Sequence, residues 1–466
     1  MNDNNLQKKL SPLNVCSLAL GCIIGWGAFI MPGTVFLPKA GPHGTAIAIV
    51  MAMIIMIIIA ISYAYMVNKY PYSGGECIYA LNLFGRKHAF ICGWFLCLSY
   101  LAIVPLNATA ISLLARNLLG DIFRKGISYQ VVGYDVYFGE IIIAEIVLVL
   151  FAIISIRGVK MVGIVQTLLC FMLVFGVLLI VVATFLKGNI SESTLIPSFV
   201  DSSNKLSNIL AVLAVAPWAF IGFDTIPQAT EEFGFPLKKT ICLMITAIIF
   251  GGLVYIALNY VTAIAIPDEY DTWYDYIVLN GANHVGIEAL PTFNAAYLVL
   301  GKGGLIILGV AILGAILSGI LGFFMATSRL LYAMSKENFI PQIFGRINEK
   351  YGTPAYAIIF VLIISMIAPF FGRTVLGWIV DMSSLGAAIG FGYTAFSAMI
   401  LAYREKNKFI MLIGGLGCFF SVVFAILLLV PIPQIDSSLS IESYIMLIIW
   451  LALGVIFVFN KGRKER

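Results

Sequence analysis

Gly21-Cys22-Ile23-Ile24-Gly25-Trp26-Gly27-Ala28-Phe29 places three glycines inside a stretch that would otherwise read as one membrane helix. A continuous helix uses up its own N–H and C=O groups. A break frees them, and lipid tolerates free backbone groups only where they face protein, a ligand or a water-filled cavity. The break therefore reads as a binding site. Half-helix N–H groups suit an anionic group, and unwound carbonyls suit a cation or an ammonium.

The rest of the chain supports the membrane reading. Its 466 residues are 61% hydrophobic and 11% charged, with a mean hydropathy of +1.01, so no soluble core could hide the apolar surface. Apolar runs of about 20 residues recur from end to end, about twelve in all, each long enough to cross ~30 Å of hydrocarbon. If the N-terminus is cytoplasmic, about 20 of the 28 Lys and Arg fall on the inner side, as the positive-inside rule requires. This predicts a multi-pass protein of the cytoplasmic (cell) membrane with both termini inside. The inner set includes Lys8, Lys9, Lys69, Arg86, Arg346, Arg404 and the tail Lys461 to Arg466. The net charge of +5 is spread over short loops and forms no nucleic-acid-binding patch. No cysteine falls in an expected outer loop, which argues against a disulfide framework. His43, His88 and His284 are read in loops, without metal-ligand spacing. Neither a metal nor a cofactor is implied.

A second interrupted span answers the first. Ala216-Pro217-Trp218-Ala219-Phe220-Ile221-Gly222-Phe223-Asp224-Thr225-Ile226-Pro227 carries two prolines and a glycine in mid-membrane, and each proline removes a helix hydrogen bond. It is the sixth span. Breaks in spans one and six are the mark of a five-plus-five inverted repeat, because an odd number of spans inverts the second copy. The expected architecture is an all-α integral membrane protein of about 12 transmembrane helices in a single domain, residues 1–466. Repeat one covers about 13–186, repeat two about 206–402, and two extra helices about 409–460. Gly21 and Gly25 also fit small-xxx-small helix packing, but packing needs no matching break five spans later. The outer segment 267–300, with Asp268, Glu269, Asp271 and Asp275, reads as a small cap or a solvated acidic loop.

Several further motifs stand in order: Tyr70-Pro71 with Gly74-Gly75-Glu76, Asp224 followed by Glu231-Glu232, Ser328-Arg329-Leu330-Leu331-Tyr332 leading to Pro341, and Gly352-Thr353-Pro354. With the two breaks, these make the chain resemble the amino acid, polyamine and organocation (APC) transporter family over nearly its whole length. The resemblance implies a LeuT-like fold with discontinuous helices 1 and 6, and a substrate bound midway between them. It places the substrate against Ile23, Gly25, Trp26 and Gly27 of span one, Cys97 of span three, Trp218, Ala219, Phe220, Ile221, Gly222 and Asp224 of span six, and Phe323 and Phe324 of span eight. The amides of Gly25, Trp26 and Gly27 would hold a carboxylate, and carbonyls near Trp218, Ala219 and Ile221 an α-ammonium. Trp218 resembles the gating aromatic of the family's arginine and agmatine exchangers, and Asp224 stands where those carry Glu. An interfacial or packing tryptophan is the plainer reading of Trp218, and Asp224 is read either as a proton-sensing carboxyl or as a brace for the unwound segment. Phe323 and Phe324 also suit ordinary packing, Asp381 equally an interfacial cap or a cation contact, and Arg329 a snorkelling anchor.

Departures from the family pattern shape the functional expectation. Trp26 replaces the usual small residue, so its indole should crowd the carboxylate end or wall one side of the pocket. Leu173, seven residues after Gln166, stands where many proton-coupled members carry lysine, and Leu101 aligns with an asparagine linked to arginine recognition. The expectation is a secondary transporter of amino acids or related amines, working by alternating access as an exchanger. A proton- or sodium-coupled symporter is the alternative, and a channel the reading from another class. No nucleotide loop, metal constellation or nucleophile motif supports an enzyme. The implied partners are a small-molecule substrate and the lipid bilayer, with no nucleic acid, and a homodimer is compatible with the pattern.

Overall fold

The computed structural model describes residue 6 and residues 8–187, 195–200, 204–284, 286–432 and 438–462; the tail from 463 to 466 lies outside them. Helix formation begins at a capping box. Ser11 Oγ accepts from the Asn14 amide at 3.2 Å, and Asn14 Oδ1 accepts from the Ser11 amide at 3.1 Å. Helix α1 (Pro12–Ile23) stops at the break, and α2 (Gly27–Met31) resumes through a π-helical turn, Pro32–Phe36, into α3 (Leu37–Lys69). Within α3, Gly41 (φ 70°, ψ 179°) precedes Pro42 and turns the end of span one into span two. Only glycine takes that backbone without strain, and Pro42 lacks the N–H needed to continue the helix.

The connecting helix α4 (Gly75–Phe84) leads to α5 (Arg86–Leu119), span three, which is about 51 Å long at 1.5 Å per residue. A hairpin of β1 (Ser128–Val131) and β2 (Tyr134–Tyr137) follows, pairing Ser128 with Tyr137. It lies between spans three and four, in a stretch where no strand is expected from the sequence, and the Tyr129 hydroxyl anchors it to the Phe370 carbonyl at 2.6 Å. Spans four and five are α6 (Phe138–Ile156) and α7 (Val159–Lys187). The broken span six comprises α8 (Lys205–Leu213), α9 (Ala216–Ala219) and α10 (Thr225–Gln228). Then come α11 (Thr240–Ile264), the short α12 (Pro291–Leu300), α13 (Lys302–Lys336), α14 (Ala355–Ser365), α15 (Val375–Arg404), α16 (Lys408–Leu429) and α17 (Ile441–Gly462).

Among the described residues, nine segments are long and apolar enough to cross a membrane. The one running from Gly27 to Lys69 holds the end of span one and all of span two, and the broken span six and α17 complete the all-α membrane architecture. α13 packs against both α5 and α7. A Cβ on Gly176 would stand 2.7 Å from the Ala311 Cβ, and one on Gly314 2.7 Å from the Leu169 carbonyl oxygen. Small residues thus let these backbones approach, the usual adhesive of membrane helices. The far edge of α7 exposes Ile164, Leu168, Phe171, Phe175 and Leu178, as a lipid-facing surface should. The acidic outer segment does fold back as a cap, with Trp273 and Tyr276 buried against Leu37 and Ala263. His43 lies in α3 and His88 in α5, within helices rather than the expected loops; His284 alone is in a loop.

Arg329 corrects another expectation. It does not snorkel: it is fully buried and binds Glu232 through Nη2 at 2.7 Å and Nε at 3.2 Å. A charge drawn from water needs a partner, and the carboxylate at the end of span six supplies one. The Lys9 and Leu10 amides each donate to the Glu232 carbonyl at 3.0 Å, and the Ser73 amide donates to Glu231 Oε1 at 3.1 Å. The N-terminal segment, the entry to α4, span six and span eight are thereby sewn together on one side of the molecule. Arg329→Ala strands a buried carboxylate and should destabilise the purified protein by about 3 to 5 kcal/mol. Lys69→Ala, which breaks a half-exposed pair with Glu405, should cost no more than about 1 kcal/mol. Thermal unfolding of both variants in detergent checks this, and equal losses would contradict it.

Candidate functional site

The two breaks meet. Gly222, at the turn of span six, has φ 146°, and a Cβ there would stand 2.6 Å from the Ile23 amide nitrogen and 2.9 Å from the Ala19 carbonyl oxygen. Glycine is required twice over, by the backbone conformation and by the approach of α1. The chain between α1 and α2 is Ile24-Gly25-Trp26. The amides of Gly25 and Trp26 have no hydrogen-bond partner among the described residues, and Gly27, as the first residue of α2, has an amide with no carbonyl a turn behind it. Across the gap, the carbonyls of Ala219, Phe220 and Ile221 accept no hydrogen bond among the described residues. A row of free donors thus faces the neighbourhood of a row of free acceptors in a setting without bulk water.

A void of about 20 Å³ lies where the breaks meet, lined by Cys22, Ile23, Gly25, Trp26, Ile103, Leu106, Asn107, Trp218, Ile221 and Tyr255, so that Gly25 and Trp26 of the donors and Ile221 of the acceptors belong to its wall; it holds little more than one water. On the side away from the N-terminus a vestibule of about 370 Å³ descends to the same place, past Thr34, Asn117, Leu376 and Asp381, and shares Trp26, Leu106 and Trp218 with the void. The Trp218 indole thus stands between vestibule and void. It lies against Gly27, where any Cβ would overlap its ring. Trp26 is buried and meets Phe293 edge-on at 6.3 Å, so its indole walls the pocket and leaves the loop amides free. A larger hollow, about 810 Å³ on the N-terminal side between Lys8, Ser73, Glu231 and Lys336, is lined by no residue of either break. Size alone therefore does not mark the site.

The structure brings together Ile23, Gly25, Trp26, Trp218 and Ile221 around the void, with Gly27 in the vestibule wall. Ala219, Phe220, Gly222 and Asp224 shape span six without lining either cavity. Asp224 accepts from the Gly222 amide at 2.7 Å and from the Tyr100 hydroxyl at 2.8 Å, which holds the unwound turn. Cys97, Phe323 and Phe324 are buried but line neither cavity, and Phe323 packs on Tyr100 with ring centroids 5.8 Å apart. Asp381 accepts from the Ser440 amide at 3.1 Å and the Ser443 hydroxyl at 2.7 Å, so it caps α17. The sequence reading missed Asn107 and Tyr255. Tyr255 donates to the Ile23 carbonyl at 3.3 Å. Asn107 donates to Ile103, but its Oδ1 is buried without a partner beside Gly25. An amide in an otherwise apolar span was the available signal, because buried polar groups in membranes are costly unless used.

Gly222→Ala should lower stability by at least about 2 kcal/mol, through both the left-handed backbone and the clash with α1. The check is the unfolding temperature in detergent against Gly303→Ala, where a Cβ meets nothing within 4 Å. Equal temperatures would mean that the breaks do not abut as described.

The amino acid permease family matches residues 10–453 of the chain. Similar proteins from Bacillus subtilis (strain 168) include a methylthioribose transporter, 27% identical over 99% of this chain and 95% of its own length. The branched-chain amino acid permease BcaP is 24% identical over 99% and 95%, and the serine/threonine exchanger SteT 24% over 87% and 86%. A match that runs through both broken helices and on to α17 is one of whole architecture, and the chain belongs to the amino acid permease family.

Proposed function

We propose that this protein exchanges neutral amino acids across the cell membrane by alternating access, with both termini in the cytoplasm and two inverted repeats over about 13–186 and 206–402. The observation that carries the reading is the pairing of unpartnered amides at Gly25 to Gly27 with unpartnered carbonyls at Ala219 to Ile221. A carboxylate suits the first set and an α-ammonium the second, and together these are the invariant part of an amino acid. The void is lined by no charged side chain, so the variable part should be uncharged. Asn107 Oδ1 offers one acceptor for a donor on the ligand. A cationic side chain would find no counter-charge there, and leaving a charge unpaired in such a place is expensive.

The conformation suits one stage of such a cycle. A vestibule reaches Trp218 from one side, while Arg329, Glu232 and the N-terminal segment close the other. Exchange is favoured over lysine-assisted proton symport because Leu173, fully buried, brings no charge to span five. Among the relatives, SteT is named as an exchanger and BcaP as a branched-chain permease, both for uncharged side chains.

Proteoliposomes loaded with labelled neutral amino acids test this. Efflux should require an outside substrate from the same class, and Gly27→Val, which drives a side chain into the Trp218 ring, should lower it at least tenfold while the protein stays folded. Efflux triggered by methylthioribose but by no amino acid would overturn the substrate reading, and efflux indifferent to outside substrate would overturn exchange.

A further inference from the structure

Among the described residues, two acids on the N-terminal side of the site make no ion pair with a lysine or arginine. Glu76, in the first turn of α4, and Asp224, in the turn of span six, are both fully buried. Glu76 Oε1 accepts from the Tyr63 hydroxyl at 2.7 Å, and Oε2 from Gln228 Nε2 at 2.6 Å. Asp224 Oδ1 accepts from the Gly222 amide and Oδ2 from the Tyr100 hydroxyl. That same Tyr100 oxygen stands 3.5 Å from Glu76 Oε1. Two carboxyl groups thus converge on one hydroxyl, which has one proton to give.

Among the described residues, no lysine or arginine pairs with either acid. Cys22 comes from α1, Tyr63 from α3, Cys77 and Tyr79 from α4, Cys92 and Tyr100 from α5, and Thr394 from α15. From α13, Arg329 is held by Glu232, Lys336 sits beside Glu231, and Glu337 is another acid. Two unscreened like charges this close in a dry interior repel, and the remedy carboxyl pairs use elsewhere is to share a proton. The proton then belongs to the pair rather than to either residue.

We infer that Glu76 and Asp224 form a one-proton site: while the N-terminal side is sealed the pair binds a single proton, and opening that side releases it to the solution there. The pair bridges the parts that must separate, since Glu76 holds Tyr63 of α3 and Gln228 of α10, and Asp224 holds the Gly222 turn. Opening admits water, which solvates both carboxylates and ends the need for the shared proton. The sealed form therefore holds one proton more than the open form. Lower pH on that side favours sealing, and higher pH favours opening. Uptake and release occur at one face, so no net proton crosses the bilayer. The inference rests on the exchange reading above.

The experiment is amino acid exchange in proteoliposomes with the same buffer on both faces, from about pH 5 to about pH 9. Wild-type initial rates should rise several-fold with pH through a one-proton transition, without pH change in the lumen, and Glu76→Gln should flatten the profile. If that variant fails to fold, Tyr100→Phe keeps both acids, removes the shared hydroxyl and should displace the midpoint. A flat wild-type profile, a Glu76→Gln profile like wild type, an unmoved Tyr100→Phe midpoint, a sodium requirement in place of the pH dependence, or lumen acidification in step with exchange would each overturn the site. No exchange at any pH would instead refute the transport reading, and this inference with it.

Discussion

The constraint on which everything else depends is that a bilayer offers backbone N–H and C=O groups nothing to bond to. Among the described residues, the membrane helices satisfy it internally, and the departures that meet in the interior are Ile24-Gly25-Trp26 and the turn from Phe220 to Asp224. The fold spends its interior on those two places. α5, α11 and α13 wrap around them, Gly222 presses against α1, and Gly25, Trp26 and Ile221 share the lining of one void. Each break would be costly alone. Side by side, they gather unsatisfied backbone donors and acceptors in one part of the interior, the arrangement on which the proposed binding of a small zwitterion rests.

The same logic separates what binds from what seals. Near the void the lining carries no charged side chain, so under the proposed reading the backbone dipoles would meet ligand charge. Toward the N-terminal side the chemistry changes to charge, with Arg329 and Glu232 paired in full burial and Glu76 and Asp224 gathered round Tyr100. Buried charge that is paired and hydrogen-bonded specifies one arrangement sharply and penalises intermediates. Such a layer suits a boundary that must be either shut or open, whereas the neutral layer can accept ligands differing in side-chain shape.

Much of this was legible in the chain because glycine and proline report local backbone demands directly. Gly25, Gly27, Pro217, Gly222 and Pro227 announce both breaks, and Gly74-Gly75 a turn, whereas the Gly41-Pro42 turn between spans one and two emerged with the structure. What was hidden depends on contacts between distant residues. Glu232 reaches Arg329 across 97 residues and Gln228 reaches Glu76 across 152; no spacing rule connects them. Arg329 therefore read as a membrane-surface anchor, and Glu76 as part of a turn motif. Asn107 lay hidden within an apolar span, and the β1–β2 hairpin within an outer segment whose short alternating strands give a weak signal.

The central claim is that the two breaks together bind the backbone portion of an amino acid. An experimentally determined structure of the protein with a neutral amino acid bound tests it most directly. The account requires the ligand carboxylate within hydrogen-bond distance of the amides of Gly25, Trp26 or Gly27, and its ammonium against the carbonyls between Trp218 and Ile221. A ligand seated wholly in the outer vestibule, or one held by side chains with both rows of backbone groups left bare, would contradict it.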